Sequence, residues 1–259
     1  MGNVVLIVLV LGFSLCVNSF LLVILLNRRA SLWEGIKFFS VAAALNKLFF
    51  TGSGYAILCW KMKGDDIPLS RTLPAFAVFE LFSTLPWLVL GIYSGGKLAF
   101  RIPVVLPFIF LFVLISLLIA RKKAAGFFNS IARYFSEISP HAFIVVFLVT
   151  LNLILTAAYY FLLMEAFHFS FGFMEAIRIV SIAFSAGYLS PVPQGLGIKE
   201  SCQVFLLMDQ GVSLKQAVSF AVTDRVILTG FYLGLGFLFG ADIIRQEIKS
   251  KFKRRVREK

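Results

Sequence analysis

The chain has 259 residues, 59% of them hydrophobic and only 15% charged, and Phe alone occurs 30 times. That composition excludes a soluble domain and, with strand-like alternation absent, disfavours a β-barrel; it specifies an all-α polytopic membrane protein. The formal net charge of +12 is not a nucleic-acid signature, because the basic residues cluster beside apolar stretches as positive-inside bias requires.

Residues 1–26 are apolar throughout, with no basic leading region and no clear small-residue cleavage site, and are expected to be a retained span. Asn27-Arg28-Arg29 closes it. Residues 38–60 are apolar but interrupted at Thr51-Gly52-Ser53-Gly54, and a polar loop carrying Lys61, Lys63, Asp65, Asp66 and Arg71 follows. Residues 73–93 form a span that Gly95-Gly96-Lys97 ends, and residues 102–120 form another, closed by Arg121-Lys122-Lys123. Residues 124–140 mix aromatic and charged positions and read as an amphipathic surface helix carrying Phe127, Phe128, Ile131, Tyr134 and Phe135. Residues 142–167 are a span. Residues 171–208 are a second interrupted stretch, broken by two prolines and two glycines between Pro191 and Gly197. Residues 218–240 are the last span, and the tail from Arg245 carries eight Lys/Arg against two Glu. Cys16, Cys59 and Cys202 are odd in number and lie in apolar segments, which fits reduced buried thiols.

Charge bias decides how the interrupted stretches run. With Arg28, Arg121 and the tail all cytoplasmic, the loop between residues 61 and 71 must also be cytoplasmic. Residues 38–60 then enter and leave by the cytoplasmic face, and residues 171–208 enter and leave by the outer face. Each is a re-entrant helical hairpin or a pair of short spans. Only about seven apolar residues follow the first break, and at about 1.5 Å each they fall short of about 30 Å of hydrocarbon, which favours hairpins.

The two halves also match in sequence. Gly52-Ser53-Gly54 matches Gly195-Leu196-Gly197, Cys59 matches Cys202, and Phe76 to Glu80 matches Phe220 to Asp224. Each half reads span, broken hairpin, span, in opposite orientations, with residues 102–120 as connector. This is an inverted repeat with discontinuous helices, an arrangement that puts substrate sites near the bilayer midplane. Residues 1–101 form the first repeat, 102–140 the connector and surface helix, 141–244 the second repeat and 245–259 the tail, all in one transmembrane domain.

Several polar residues fall where chemistry is expected. Lys199 and Glu200 open the helix after Gly197, where free N–H groups carry partial positive charge and suit an anion; the plainer reading puts them at the outer water interface. Asp224 and Arg225 lie inside the last span, where a charge needs a partner or a cavity. Adjacent helical residues diverge by about 100°, so the expected pairs are Glu200 with Arg225 and Asp224 with Lys199. Glu80 sits mid-span, with Asn46 and Lys47 as its nearest candidate partners. Glu165, His168 and Arg178 read as interfacial, and the basic tail as a contact for anionic lipid. No nucleotide loop, zinc ligand set or nucleophile elbow is present, so neither a cofactor nor enzymatic activity is expected.

The stretch from Leu189 through Ser190, Pro191, Val192, Pro193, Gln194, Gly195, Leu196, Gly197 and Ile198 to Lys199-Glu200, followed by Gly211-Val212-Ser213 and Asp224-Arg225, resembles the lysylphosphatidylglycerol synthase transmembrane-region family, also called flippase-like. The family pattern falls on Pro191, Pro193, Gly195, Gly197, Glu200, Gly211 and Arg225, with Gln194 where glycine is usual. In the first half Asn46 and Gly54 match, Tyr55 stands where Glu is expected, and the later Arg is missing. The resemblance implies a bacterial or archaeal protein of the cytoplasmic membrane that handles lipid, by analogy a flippase for an anionic phospholipid or polyprenyl phosphate. The aminoacylating domain of the resistance factor in that family has no counterpart here, so lipid aminoacylation is not expected. On this reading Pro191, Pro193, Gly195, Gly197, Lys199, Glu200, Asp224, Arg225, Asn46, Gly52, Gly54 and Glu80 line the substrate path. Two alternatives stand beside it: a non-transporting membrane subunit for a separate glycosyltransferase or lipid-synthesis enzyme, and a lipid-modifying enzyme, for which the chain lacks a nucleophile or metal set.

Overall fold

A computed structural model describes residues 2–26, 31–49, 53–64, 69–99, 129, 134–190 and 192–257. Eight α-helices account for most of them: α1 (Gly2–Leu25), α2 (Leu32–Leu48), α3 (Ser53–Gly64), α4 (Leu69–Ala99), α5 (Ala142–Ala166), α6 (Phe173–Leu189), α7 (Ile198–Asp209) and α8 (Leu214–Arg257). Among the described residues there is no strand, and four helices are long and apolar enough to cross a membrane: α1, α4, α5 with the turn before it, and α8. The connecting span expected at residues 102–120 lies outside the described residues.

Local chemistry explains where the helices begin. Ser31 caps α2: its hydroxyl accepts the Glu34 N–H at 3.3 Å, and the Glu34 carboxylate accepts the Ser31 N–H at 2.7 Å. The helix therefore starts at Leu32, six residues ahead of the apolar stretch read from hydropathy. Its polar first turns are anchored instead by Lys37, which pairs with Asp242 on α8. The last span likewise extends beyond its apolar run, since α8 continues as helix through the basic tail to Arg257. Gly95-Gly96 does not stop α4, which runs on to Ala99.

One expectation is corrected before α5. Phe127, Phe128 and Ile131 of the expected surface helix lie outside the described residues, but its end is seen. Tyr134 and Ile138 are buried in the protein core rather than facing lipid, and the Tyr134 hydroxyl donates to the Leu25 carbonyl at the end of α1. A phenol can bury its ring only if its hydroxyl finds an acceptor; the frayed end of α1 offers an orphan carbonyl, and this match wins over the interface.

The broken stretches are pairs of arms. α2 and α6 have 17 residues each and α7 has 12, while α3 is described over Ser53–Gly64. At about 1.5 Å per residue α7 spans about 18 Å, well under the about 30 Å of hydrocarbon. α1 packs on α5, α2 on α8 and α4 on α6, so the first arm of each half lies against the last helix of the other. The correspondence extends to single residues. A Cβ placed on Gly91 of α4 would overlap the Ser185 hydroxyl and stand 2.6 Å from the Ser181 carbonyl of α6. A Cβ on Gly236 of α8 would overlap Ala44 and come within 3.4 Å of the Ser40 carbonyl of α2. Counted from the starts of α2 and α6, Ser40 and Ser181 hold the same position, as do Ala44 and Ser185. At both crossings a missing side chain lets two helices approach closely, the usual device where lipid offers no hydrophobic drive for association.

Gly91→Ala is therefore expected to cost about 1–3 kcal/mol from overpacking against a backbone carbonyl. Gly12→Ala, on α1 with nothing within 4 Å of its added Cβ, should be neutral or mildly stabilising. Thermal unfolding in detergent distinguishes them; equal shifts would contradict the close crossing.

Candidate functional site

The second break begins where α6 ends at Leu189 and finishes where α7 starts at Ile198. A single 3-10 turn, Pro193–Gly195, bridges them. Gln194 and Gly195 both sit at φ +59° and Gly197 at φ +80°. Left-handed backbone costs an L-residue about 1–2 kcal/mol and glycine almost nothing, which explains why glycine suits the position that Gln194 holds here. Gly195 also has no room for a side chain, since an added Cβ would lie 2.6 Å from Cα of Gly187 in α6. The break is thus folded back onto its own first arm. Pro191 lies outside the described residues.

The start of α7 carries two charges that point different ways. Glu200 accepts the Gly197 N–H at 2.8 Å through one carboxylate oxygen and Arg225 Nη1 at 3.1 Å through the other. It caps its own helix and ties α7 to α8. Lys199 turns inward. Its Nζ lies 3.0 Å from Asp224 Oδ2 and 2.7 Å from the Tyr160 hydroxyl, and above the Tyr160 and Phe184 rings at 5.4 and 4.6 Å. Asp224 is almost wholly enclosed, at 1% exposure. It also accepts the hydroxyls of Tyr159 at 2.9 Å and Tyr160 at 3.0 Å and the Gln203 side-chain amide at 3.3 Å. A buried carboxylate supplied with a cation and three neutral donors has its desolvation offset. Both expected pairs, Glu200 with Arg225 and Asp224 with Lys199, form.

The first break is held differently. The Asn46 side chain in the last turn of α2 accepts the Gly54 N–H at 2.8 Å, and the Ser53 hydroxyl donates to the Leu45 carbonyl at 3.1 Å. An added Cβ on Gly54 would run into the Ala42 carbonyl, so this arm is also pressed against its partner. Gly52 lies outside the described residues. Glu80 of α4 lies beside Tyr55 of α3, and both reach the cavity from the first half.

The two breaks meet at one cavity of about 520 Å³. Asn46, Lys47, Tyr55 and Glu80 reach it from the first half, and Ser190, Gln194, Gly195, Lys199 and Arg225 from the second. Of the expected site residues whose side chains are described, Gly54, Gly197, Glu200 and Asp224 are not in its wall; Glu200 and Asp224 stand behind the cations they neutralise. The wall therefore carries three cations and, among the described residues, a single carboxylate, Glu80. Lys47 is half-buried and makes no hydrogen bond or ion pair among the described residues, with Lys199, Arg225, Asp224 and Glu200 as its charged neighbours. Sequence reading passed over Lys47 as a site residue, together with Tyr159, Tyr160 and Gln203. Adjacent tyrosines and a glutamine inside apolar helices were the available signals. Among the described residues no group of His, Cys, Asp and Glu is arranged to hold a metal ion.

Removing one partner of the buried pair leaves the other charge stranded. Asp224→Asn is expected to cost about 3–5 kcal/mol, and combining it with Lys199→Met should restore part of that loss. A double-mutant cycle on denaturant unfolding in detergent measures the coupling; strict additivity would contradict a direct pair.

These features can be set against known proteins. Neither a curated protein nor a solved structure matches the chain. The family model described as "Lysylphosphatidylglycerol synthase TM region" matches residues 1–236, which takes in both breaks, the cavity and the Lys199–Asp224 and Glu200–Arg225 pairs. The chain is a multi-pass membrane protein and belongs to the lysylphosphatidylglycerol synthase TM-region family, which links it to lipid handling.

Proposed function

We propose that this protein passes the head group of an anionic, phosphate-bearing membrane lipid through the cavity between its two broken hairpins while the acyl chains stay in the bilayer. The observation that carries this reading is a cation-rich, hydrogen-bonding cavity at the meeting of two helix breaks. A head-group charge at the bilayer centre costs at least several kcal/mol. A cavity that replaces its hydration with fixed donors and cations removes most of that barrier. A volume of about 520 Å³ falls in the range of small-molecule pockets, about 300–1,000 Å³, and so suits a head group. Family membership supports lipid as the substrate.

The equal first arms, the reciprocal crossings α2 on α8 and α4 on α6, and the glycines at both crossings support an inverted repeat. With basic residues cytoplasmic, the first hairpin enters from the cytoplasm and the second from the outer face of the cell membrane, and the C-terminus is cytoplasmic. Two such hairpins, one from each leaflet, give a head group a polar passage that neither opens alone. The Glu200–Arg225 pair fixes the second arm to the last helix.

Purified protein in lipid vesicles should therefore move a fluorescent anionic phospholipid between leaflets. Arg225→Ala or Glu200→Ala removes a charge-assisted bond worth about 1.5–3 kcal/mol, and each should slow transfer about tenfold or more with helical content retained. Normal transfer by both variants would reject the assigned roles, and binding without transfer by the unaltered protein would favour a non-transporting subunit.

A further inference from the structure

Pro86 lies inside α4. Proline has no N–H, so the Phe82 carbonyl one turn earlier loses the donor that a continuous helix would give it. Within a membrane such a group needs a replacement partner, and neighbouring side chains or ordered water supply it. The next residue adds a second demand, because the Ser83 hydroxyl is buried and has no hydrogen-bond partner. Phe82, Ser83 and Pro86 all line a small void of about 10 Å³ between α1, α4 and α5. Asn152 of α5 lines it too. Its side-chain oxygen already accepts the Ser14 hydroxyl at 2.8 Å and the Asn18 amide at 2.7 Å, so what Asn152 offers the void is its amide N–H. Leu21, Val149 and Leu153 complete the lining with apolar groups that meet neither demand.

We propose that this void is the binding site of one structural water, which closes the proline kink of α4 and bridges it to α5. An internal space holds water when it has both room and two to four polar partners, and about 10–15 Å³ is room for one molecule. Here the water accepts from the Ser83 hydroxyl and the Asn152 amide and donates to the Phe82 carbonyl. On α6 the Ser185 hydroxyl donates to the Trp87 carbonyl at 3.0 Å, just past the proline. The kinked turn is thereby held from α5 and from α6. Ser83, Trp87 and Asn152 also line the large cavity, so the two spaces adjoin, and the water fixes the part of the cavity wall that α4 provides.

The test uses thermal unfolding of the full chain in detergent. Deleting a buried hydroxyl that has no partner relieves a penalty, whereas deleting one bonded to a held water breaks that bond. Ser83→Ala is therefore expected to lower the unfolding midpoint by about 2–4 °C, the worth of one hydrogen bond in a chain of this size. Pro86→Ala returns an N–H to the Phe82 carbonyl and takes away the acceptor of the water, so in that background Ser83→Ala should change the midpoint little. A structure of the unaltered chain at a resolution that shows ordered water should place one within about 3.2 Å of both Ser83 Oγ and Asn152 Nδ2. A midpoint unchanged or raised by Ser83→Ala alone, an equal loss in the two backgrounds, or a dry void in such a structure overturns the proposal. Each of these results leaves the lipid-handling reading in place, since that reading rests on the larger cavity.

Discussion

A charge carried into a membrane has to be answered there, and Asp224 is the residue around which this protein is arranged. It draws a lysine, two tyrosines and a glutamine to one carboxylate. Those groups come from α5, α7 and α8, so the short arm after the break is fixed against two spanning helices by a single acid. The same constraint explains the shape of the break. The backbone groups released by Pro193, Gly195 and Gly197 would be costly against lipid. The turn is instead folded onto Gly187, and Glu200 takes the Gly197 N–H. Burial of the pair and closure of the break are one solution, since Lys199 and Glu200 are neighbours on the first turn of α7.

The two halves are alike in part of their packing and differ in chemistry. α2 and α6 have equal length and both halves use a close glycine crossing, yet among the described residues the first half has no counterpart of the Lys199–Asp224 pair. Its second arm is secured by a neutral bond from the Gly54 N–H to Asn46, with Tyr55 beside Glu80. Lys47 lies on the cavity wall with Glu80 and makes no ion pair among the described residues. The buried charge pair thus belongs to the second half of the chain.

Much of this was legible in the sequence, for reasons particular to each residue. Helix α1 could be read from unbroken apolarity, and the second break from prolines and glycines that admit no helix. The pairing of Lys199 with Asp224 and Glu200 with Arg225 followed from the 100° step between neighbours on a helix. Other features lay beyond composition. The start of α2 depends on a capping box reaching six residues ahead of the apolar run. The burial of Tyr134 depends on a carbonyl at the far end of α1. Glu80 is expected to meet Asn46 or Lys47 beside the first break, and the fold sets Tyr55 beside it. Lys47 enters the sequence analysis only as a candidate partner for Glu80, and its place on the cavity wall follows from how the two hairpins meet.

The central claim is that two helix breaks enclose a cavity that takes a lipid head group while Lys199 and Arg225 remain paired. A structure of the full chain in a nanodisc of anionic phospholipid tests it most directly. Expected is head-group density in the cavity, with Lys199 still on Asp224 and Arg225 still on Glu200. A cavity filled by acyl chains, or either pair broken, would contradict it.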